Sequence, residues 1–317
     1  MIYRIGDAII GILSKIKLKW LEGLSLYDLL NIYFIGIIKG AFSYRAGAIA
    51  FSFFMALFPF TLFILNLLPF IPIPNFQEDF LKFVSQGVPP TTYDAIANII
   101  EDILTNSYQS LLSSGFILSI FLMTNGINAI LGGFESSYYI VTKRKFIRQY
   151  IVALLLSLLM SFVLLLTVAV IVVFEVIIQK IEIPNVVNDN IPLLKLGRSA
   201  FVIIMLLTMV SLLFKFGTKQ TRYNSFVSIG SVFTTILIIV SSYIFGIYVV
   251  KFSKYNELYG SIGTLLIFMF FIWLNCMVLL LGFELNAAIN NLKEKERKKK
   301  KDDLEFSNEK QQEYVGS

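Results

Sequence analysis

The 317-residue chain contains no histidine and a single cysteine, Cys276. Zinc sites built on His and Cys ligands are thereby excluded, as are Ser–His and Cys–His nucleophilic pairs. One cysteine cannot close an intrachain disulfide, and Cys276, inside an apolar stretch, reads as a small packing residue. Phosphate-cradling loops of the Gly-x-x-x-x-Gly-Lys-Ser/Thr or Gly-x-Gly-x-x-Gly kind are missing too. Charge is scarce, with Asp, Glu, Lys and Arg making up 15% of residues. The acidic pairs Glu78-Asp79 and Glu101-Asp102 read as solvated loop faces before they read as divalent-ion ligands. The expectation is a protein that is not an enzyme, with no catalytic residues, metal or cofactor.

What fills the chain instead is apolar: 56% hydrophobic residues, 15% aromatic, and a mean hydropathy of +0.75. Six stretches stand out, roughly Ala46–Ile71, Leu111–Phe134, Tyr150–Phe174, Ser199–Phe214, Phe226–Val250 and Ile262–Phe283. Most approach the ~20 residues a helix needs to cross ~30 Å of hydrocarbon. An all-α membrane protein follows, a six-transmembrane-helix bundle in one membrane domain. The first stretch is too long for the apolar part of a signal peptide and reads as a retained span.

Lys and Arg orient it. The segments before the first span, after the second, after the fourth and after the sixth hold 21 of them, against six in the other connections. By the positive-inside rule both termini are cytoplasmic. The net charge of +6 therefore sits where anionic headgroups attract it, and the expected partners are membrane lipids rather than nucleic acid.

Three regions follow. Residues 1–45 read as cytoplasmic amphipathic, interfacial helices: Leu13, Ile16, Trp20 and Leu24 recur at helical spacing among Lys15, Lys17 and Lys19, and Leu26–Phe42 forms a second such segment. Residues 46–290 hold the six spans, with an extracytoplasmic cap at about 72–110, where the Pro-rich run Pro69–Pro74 ends the first span and two short amphipathic helices follow. Residues 291–317 form a charged cytoplasmic tail, a helical extension fraying into disorder beyond Lys298–Lys301.

Polar groups within spans are default functional candidates. Arg45 opens the first span, Glu135 ends the second and Glu284 ends the sixth, all on the cytoplasmic side, where the three form one charge layer. Outside, Glu175 and Arg198 flank a short connection as an ion pair. Asn66, Asn125, Asn128 and Asn275 serve either as hydrogen-bonding glue between helices or as the lining of a wet path. Pro59 falls mid-span and is expected to kink or break the first helix. Ser43, Gly47 and Ala50 mark a stripe where a neighbour can approach closely, in the same chain or in a homo-oligomer.

The run Ser43-Tyr44-Arg45-Ala46-Gly47 through Phe58-Pro59 resembles the opening signature of the YihY/BrkB family of bacterial inner-membrane proteins. Asn128-Ala129-Ile130 with Arg144 and Phe146 resembles its middle signature, and Tyr259-Gly260-Ser261-Ile262-Gly263, Trp273 and Leu281-Gly282-Phe283-Glu284-Leu285-Asn286-Ala287 its closing one. The chain departs from the family at Leu213–Thr218, which lacks the proline of the family's Tyr-Arg-Phe-x-Pro-like turn. The resemblance implies a multi-pass protein of the bacterial plasma (inner) membrane with a role in envelope transport. The family's former label, ribonuclease BN, does not transfer, since a zinc-dependent ribonuclease needs clustered His ligands.

These readings converge on a transporter or flippase of a lipid or other amphipathic envelope molecule. Arg45, Glu135 and Glu284 act as its gate, and Pro59, Asn66, Asn125, Asn128 and Asn275 line its path. Two alternatives stand beside it: a non-catalytic scaffold recruiting envelope-biogenesis proteins through the basic tail, and an ion or small-solute channel with the four asparagines on one water path.

Overall fold

The computed structural model describes the backbone of residues 25–67, 109–181, 191–220, 225–251 and 261–315, and side chains at 25, 27–57, 117–174, 194, 196–220, 225–248, 265–295 and 298. The Trp20 helix and nearly all of the cap at 72–110 lie outside the described residues. Among those described, every regular element is helical: α1 (Leu26–Lys39), α2 (Phe42–Leu67), α3 (Gln109–Glu135), α4 (Phe146–Ile181), α5 (Ile191–Gly217), α6 (Ile229–Lys251) and α7 (Ser261–Val315). The helices α3 to α7 are each long and apolar enough to cross a bilayer, and α1 with α2, bent by 63° between them, pass the same measure of length and apolarity only when taken together, which brings the candidate spans to six. Ile117, Leu155, Phe162, Ile204 and Ile236 are exposed on the outer faces of these helices. A contiguous apolar exterior of this kind belongs in lipid.

The start of α1 is written into its sequence. The Ser25 hydroxyl accepts from the Asp28 amide and the Asp28 carboxylate accepts from the Ser25 amide, each at 3.2 Å, a reciprocal cap with the acid in the positive first turn. Gly40 ends the helix, and Ala41 follows in the left-handed region at φ 46°. That conformation crowds a Cβ against the carbonyl, so the elbow between α1 and α2 is strained at one residue. Ala41→Gly is expected to raise stability by roughly 1 kcal/mol, read as a higher melting temperature in detergent; a lower one would show that the elbow holds a different backbone.

Beyond the elbow α2 continues as helix through Pro59 to Leu67, so the sharp break in this segment lies at Gly40–Ala41 and not at the proline. The α1 helix does not lie free on a leaflet. Leu29 packs with Ala288, Ile289 and Leu292 of α7, and the Tyr33 hydroxyl donates to the Leu281 carbonyl at 3.2 Å. The tail also differs from expectation: α7 runs unbroken for 55 residues to Val315, about 80 Å of helix, of which the part past the bundle projects as a rod.

Close packing concentrates toward the end of the bundle that holds the elbow. The α2–α3 contact is tight because Gly126 admits Ala56 and Gly133 lies under Ile49, where a Cβ would come within 2.6 Å of Ile49 Cδ1. Phe134 stacks flat on Phe283 at 4.1 Å, and Phe214 meets both edge-on, joining α3, α5 and α7 in an aromatic knot. The stripe at Ser43, Gly47 and Ala50 is divided: Ala50 is buried in the core, and the other two positions are open within the chain. Ser43 is exposed, and a Cβ on Gly47 would meet nothing within 4 Å.

Candidate functional site

Two ion pairs sit above the aromatic knot. Arg45 on α2 bonds Glu284 on α7, Nη2 to Oε1, at 2.7 Å, and the two side chains are 5% and 1% exposed. The other guanidinium nitrogen, Nη1, donates to the carbonyls of Gly40 at 3.0 Å and Ser136 at 3.5 Å, while Arg45 Nε is buried without a partner. Glu284 is completed by the Ser137 hydroxyl, which donates to Oε2 at 2.8 Å. Glu135, at the C-terminus of α3, pairs with Arg144 instead: the Arg144 amide donates to both carboxylate oxygens at 3.3 and 3.4 Å, and Nη1 lies 3.8 Å from Oε1. The same Nη1 donates to the Gly217 carbonyl at the end of α5, at 2.9 Å.

The expected charge layer is thus real as a location and divided as chemistry. Residues 136–145, the connection from α3 to α4, stitch its two halves together: Ser136 and Ser137 serve the Arg45–Glu284 pair and Arg144 serves Glu135. Tyr139 of this connection donates its hydroxyl to the Ile32 carbonyl and so ties the loop to α1. Burial, the Glu284 carboxylate and Tyr138 push that phenol up to about 12, which keeps it a donor at any ordinary pH. Glycines admit the packing. A Cβ on Gly36 would lie 2.7 Å from the Tyr139 ring and 3.2 Å from Glu284 Oε2, and one on Gly40 would lie 2.8 Å from Arg45 Nη1.

Among the described residues Asn125, Asn128 and Asn275 share no hydrogen bond with one another, and the Asn66 side chain lies outside those residues. Asn275 donates to the Phe271 carbonyl of its own helix at 2.9 Å, a local bond and not glue between helices. Asn128 takes part through its main-chain carbonyl, which accepts from Gln149 Nε2 at 3.5 Å, and Asn125 is half-buried. The side chains of Pro59, Asn66 and Glu175 lie outside the described residues, while Arg198 is half-buried on α5. The asparagine that does join two helices is Asn286. It caps α6, accepting from the Gly230 amide at 2.8 Å and donating to Ser228 Oγ at 2.7 Å.

Deeper in the membrane, α2, α3, α4 and α5 surround an apolar cavity of about 180 Å³ lined by Phe53, Leu57, Met123, Met160, Leu164 and Met209. Thioether side chains suit an occupant of variable shape, and the near absence of polar lining suits hydrocarbon.

Sequence comparison places this architecture among membrane proteins. The chain is 29% identical over 256 residues to the Bacillus subtilis (strain 168) protein named "Putative ribonuclease-like protein YfkH", covering 78% of this chain and 90% of that one. It is 24% identical over 257 residues to a UPF0761 membrane protein of Coxiella burnetii (strain Dugway 5J108-111), 79% of this chain and 87% of the relative. A UPF0761 membrane protein of Pseudoalteromonas translucida (strain TAC 125), PSHAa0171, is 28% identical over 254 residues, 78% and 80% of the two chains. No solved structure matches. The family described as "Virulence factor BrkB" matches residues 37–305, a stretch that begins on α1 just before the elbow and takes in every residue of both ion pairs, and the chain belongs to that family.

Proposed function

We propose that the chain moves a lipid or lipid-linked amphipathic molecule across or within the bacterial plasma membrane, without catalysing a reaction, and that Arg45, Glu284, Glu135 and Arg144 form its cytoplasmic gate. The bias of Lys and Arg toward this end supports a cytoplasmic placement of the gate and of both termini.

The observation that carries the reading is the buried Arg45–Glu284 pair with its unpartnered Arg45 Nε. Desolvating two charges costs several kcal/mol per ion, and a packed apolar pair holds helices together as well or better. A pair that joins α2 to α7 beside an elbow, and that also bonds Ser136 and Ser137 of an irregular loop, suits an element that exchanges partners. A phosphate headgroup offers Arg45 a bidentate alternative to Glu284. The Met-lined cavity supports an acyl-bearing cargo, while the scattered asparagines lend little to the channel alternative.

The experiment is translocation of fluorescent phospholipids in proteoliposomes, comparing the native chain with Glu284→Gln and Glu135→Gln. Native chain should speed movement, Glu284→Gln should change that rate at least about tenfold if charge exchange contributes the ~1.5 kcal/mol of a modest charged hydrogen bond, and Glu135→Gln should change it less. No protein-dependent movement of any phospholipid class, with or without a proton gradient, would remove the transport reading and favour a scaffold acting through the α7 rod.

A further inference from the structure

Behind the loop that carries Ser137 lies a second, polar cavity of about 480 Å³. Its walls are Tyr139 and Ile140 of that loop, Gln220 just after α5, Ser225, Val227 and Ser228 just before α6, and the face of α7 on which Asn286, Asn290 and Glu294 recur at four-residue intervals. Several polar groups in these walls are already engaged. The Tyr139 hydroxyl donates to the Ile32 carbonyl, Asn286 caps α6, Ser225 donates to the Val227 carbonyl at 2.9 Å, and Glu294 is paired with Lys298 at 2.9 Å.

Two wall residues are not satisfied. Gln220 Oε1 and Asn291 Oδ1 are shut off from water and accept no hydrogen bond. Buried unpaired acceptors are destabilising, and here both belong to residues that line a large polar cavity. A ligand that relieves them brings hydrogen-bond donors, and hydroxyls are donors that can sit beside an anionic group without neutralising it. Among the described residues of the lining Lys293 is the cation, and with Glu294 paired to Lys298 it offers the cavity a charge for an anion beside those hydroxyls. Val227 and Ile229 also line the cavity and are 47% and 43% exposed, so the mouth opens beside apolar surface. A soluble polyol has no use for such a mouth, whereas a lipid leaves its chains there.

We propose that this cavity binds the phosphate-linked polyol headgroup of a lipid, with hydroxyls donating to Gln220 and Asn291 and the phosphate facing Lys293. The assignment deepens the lipid-handling function proposed above and rests on it for the lipid source. Because Tyr139 lines the cavity while its amide donates to Ser137 Oγ at 3.4 Å, and Ser137 bonds Glu284, a headgroup seated here touches the loop that holds the gate shut.

The test is a binding titration of the full-length chain in detergent, read by native mass spectrometry and by melting temperature, with dioleoyl phosphatidylglycerol, dioleoyl phosphatidylcholine and glycerol 3-phosphate as probes. Phosphatidylglycerol should bind saturably and at least about tenfold tighter than either other probe, and Asn291→Leu and Lys293→Gln should each weaken it about tenfold. Unliganded Asn291→Leu should melt at or above the native chain, since it removes an unsatisfied acceptor, so a folding defect cannot imitate lost binding. Equal binding of the two lipids, or variants that bind like the native chain, would overturn the proposal. Glycerol 3-phosphate binding as tightly as phosphatidylglycerol would overturn the lipid source. Saturable, variant-sensitive binding in a chain that moves no lipid would uphold the headgroup site and remove transport alone.

Discussion

Arg45→Met should cost the fold about 3–5 kcal/mol, and adding Glu284→Gln to it should return most of that loss. The single variant leaves the Glu284 carboxylate 1% exposed, with only the Ser137 hydroxyl donating to it. A buried charge without its partner is the costly state, while removal of both charges leaves two groups of suitable size in an apolar setting. Glu284→Gln alone should be milder than Arg45→Met, because the guanidinium keeps the carbonyls of Gly40 and Ser136 and gains an amide oxygen. Melting temperatures of the native chain, both single variants and the double variant in detergent give a coupling energy directly. Additive losses would show that the two side chains do not depend on each other, and the gate would then lose its physical basis.

The contrast with Glu135 sharpens that expectation. Its carboxylate accepts from a main-chain amide of the same loop and lies 3.8 Å from the Arg144 guanidinium, a longer and more local arrangement. A contact closed between residues nine positions apart is less sensitive to the loss of one charge than a bond that joins α2 to α7 across 239 positions of sequence. Disturbing Glu135 is therefore expected to loosen the loop without unlocking the helices.

How much of this was legible follows from what each feature writes into the sequence. Apolar length is a one-dimensional signal, so each expected span falls on a long apolar helix, although the helices overrun it by up to eight residues at the start of α5 and by more at the end of α7, and charges at span ends marked Arg45, Glu135 and Glu284 as one layer. Partner choice inside that layer was not readable, because Ser137 and Arg144 sit in a short irregular loop with no period to reveal their direction. The helical rod past Lys293 was underestimated for a related reason. It has no apolar stripe, yet Glu, Lys, Gln and Leu are strong helix formers, and Glu294 and Lys298 pair at i,i+4. The asparagines misled in the opposite sense: a polar residue in a span announces itself, but whether it bonds its own helix, as Asn275 does, or a neighbour, as Asn286 does, depends on rotation about the helix axis.

Gly282→Ala should prevent the bundle from assembling, and Gly246→Ala, one helix away and in the same type of segment, should leave it intact or slightly firmer. A Cβ on Gly282 would fall on Thr234 Oγ1 and 2.8 Å from the Gly230 carbonyl; one on Gly230 would collide with the Gly282 carbonyl and lie 2.6 Å from the Asn286 amide carbon and oxygen. The two glycines face each other across α6 and α7, so the added methyls meet main-chain carbonyls together with the fully buried Thr234 side chain and the Asn286 amide that caps α6. Inserting a methyl into a tight core costs typically about 1–3 kcal/mol, occasionally more, and here the strain adds to loss of the Asn286 cap, worth about 0.5–2 kcal/mol. Gly246, by comparison, has nothing within 4 Å of its added Cβ, and the substitution there removes a weak helix former at about 1 kcal/mol. Expression and size-exclusion profiles of the three variants in detergent separate these outcomes. Native-like behaviour of both Gly230→Ala and Gly282→Ala would mean that α6 and α7 do not cross at these glycines, and the Asn286 cap, the wall of the polar cavity and the position of Glu284 would all have to move with them.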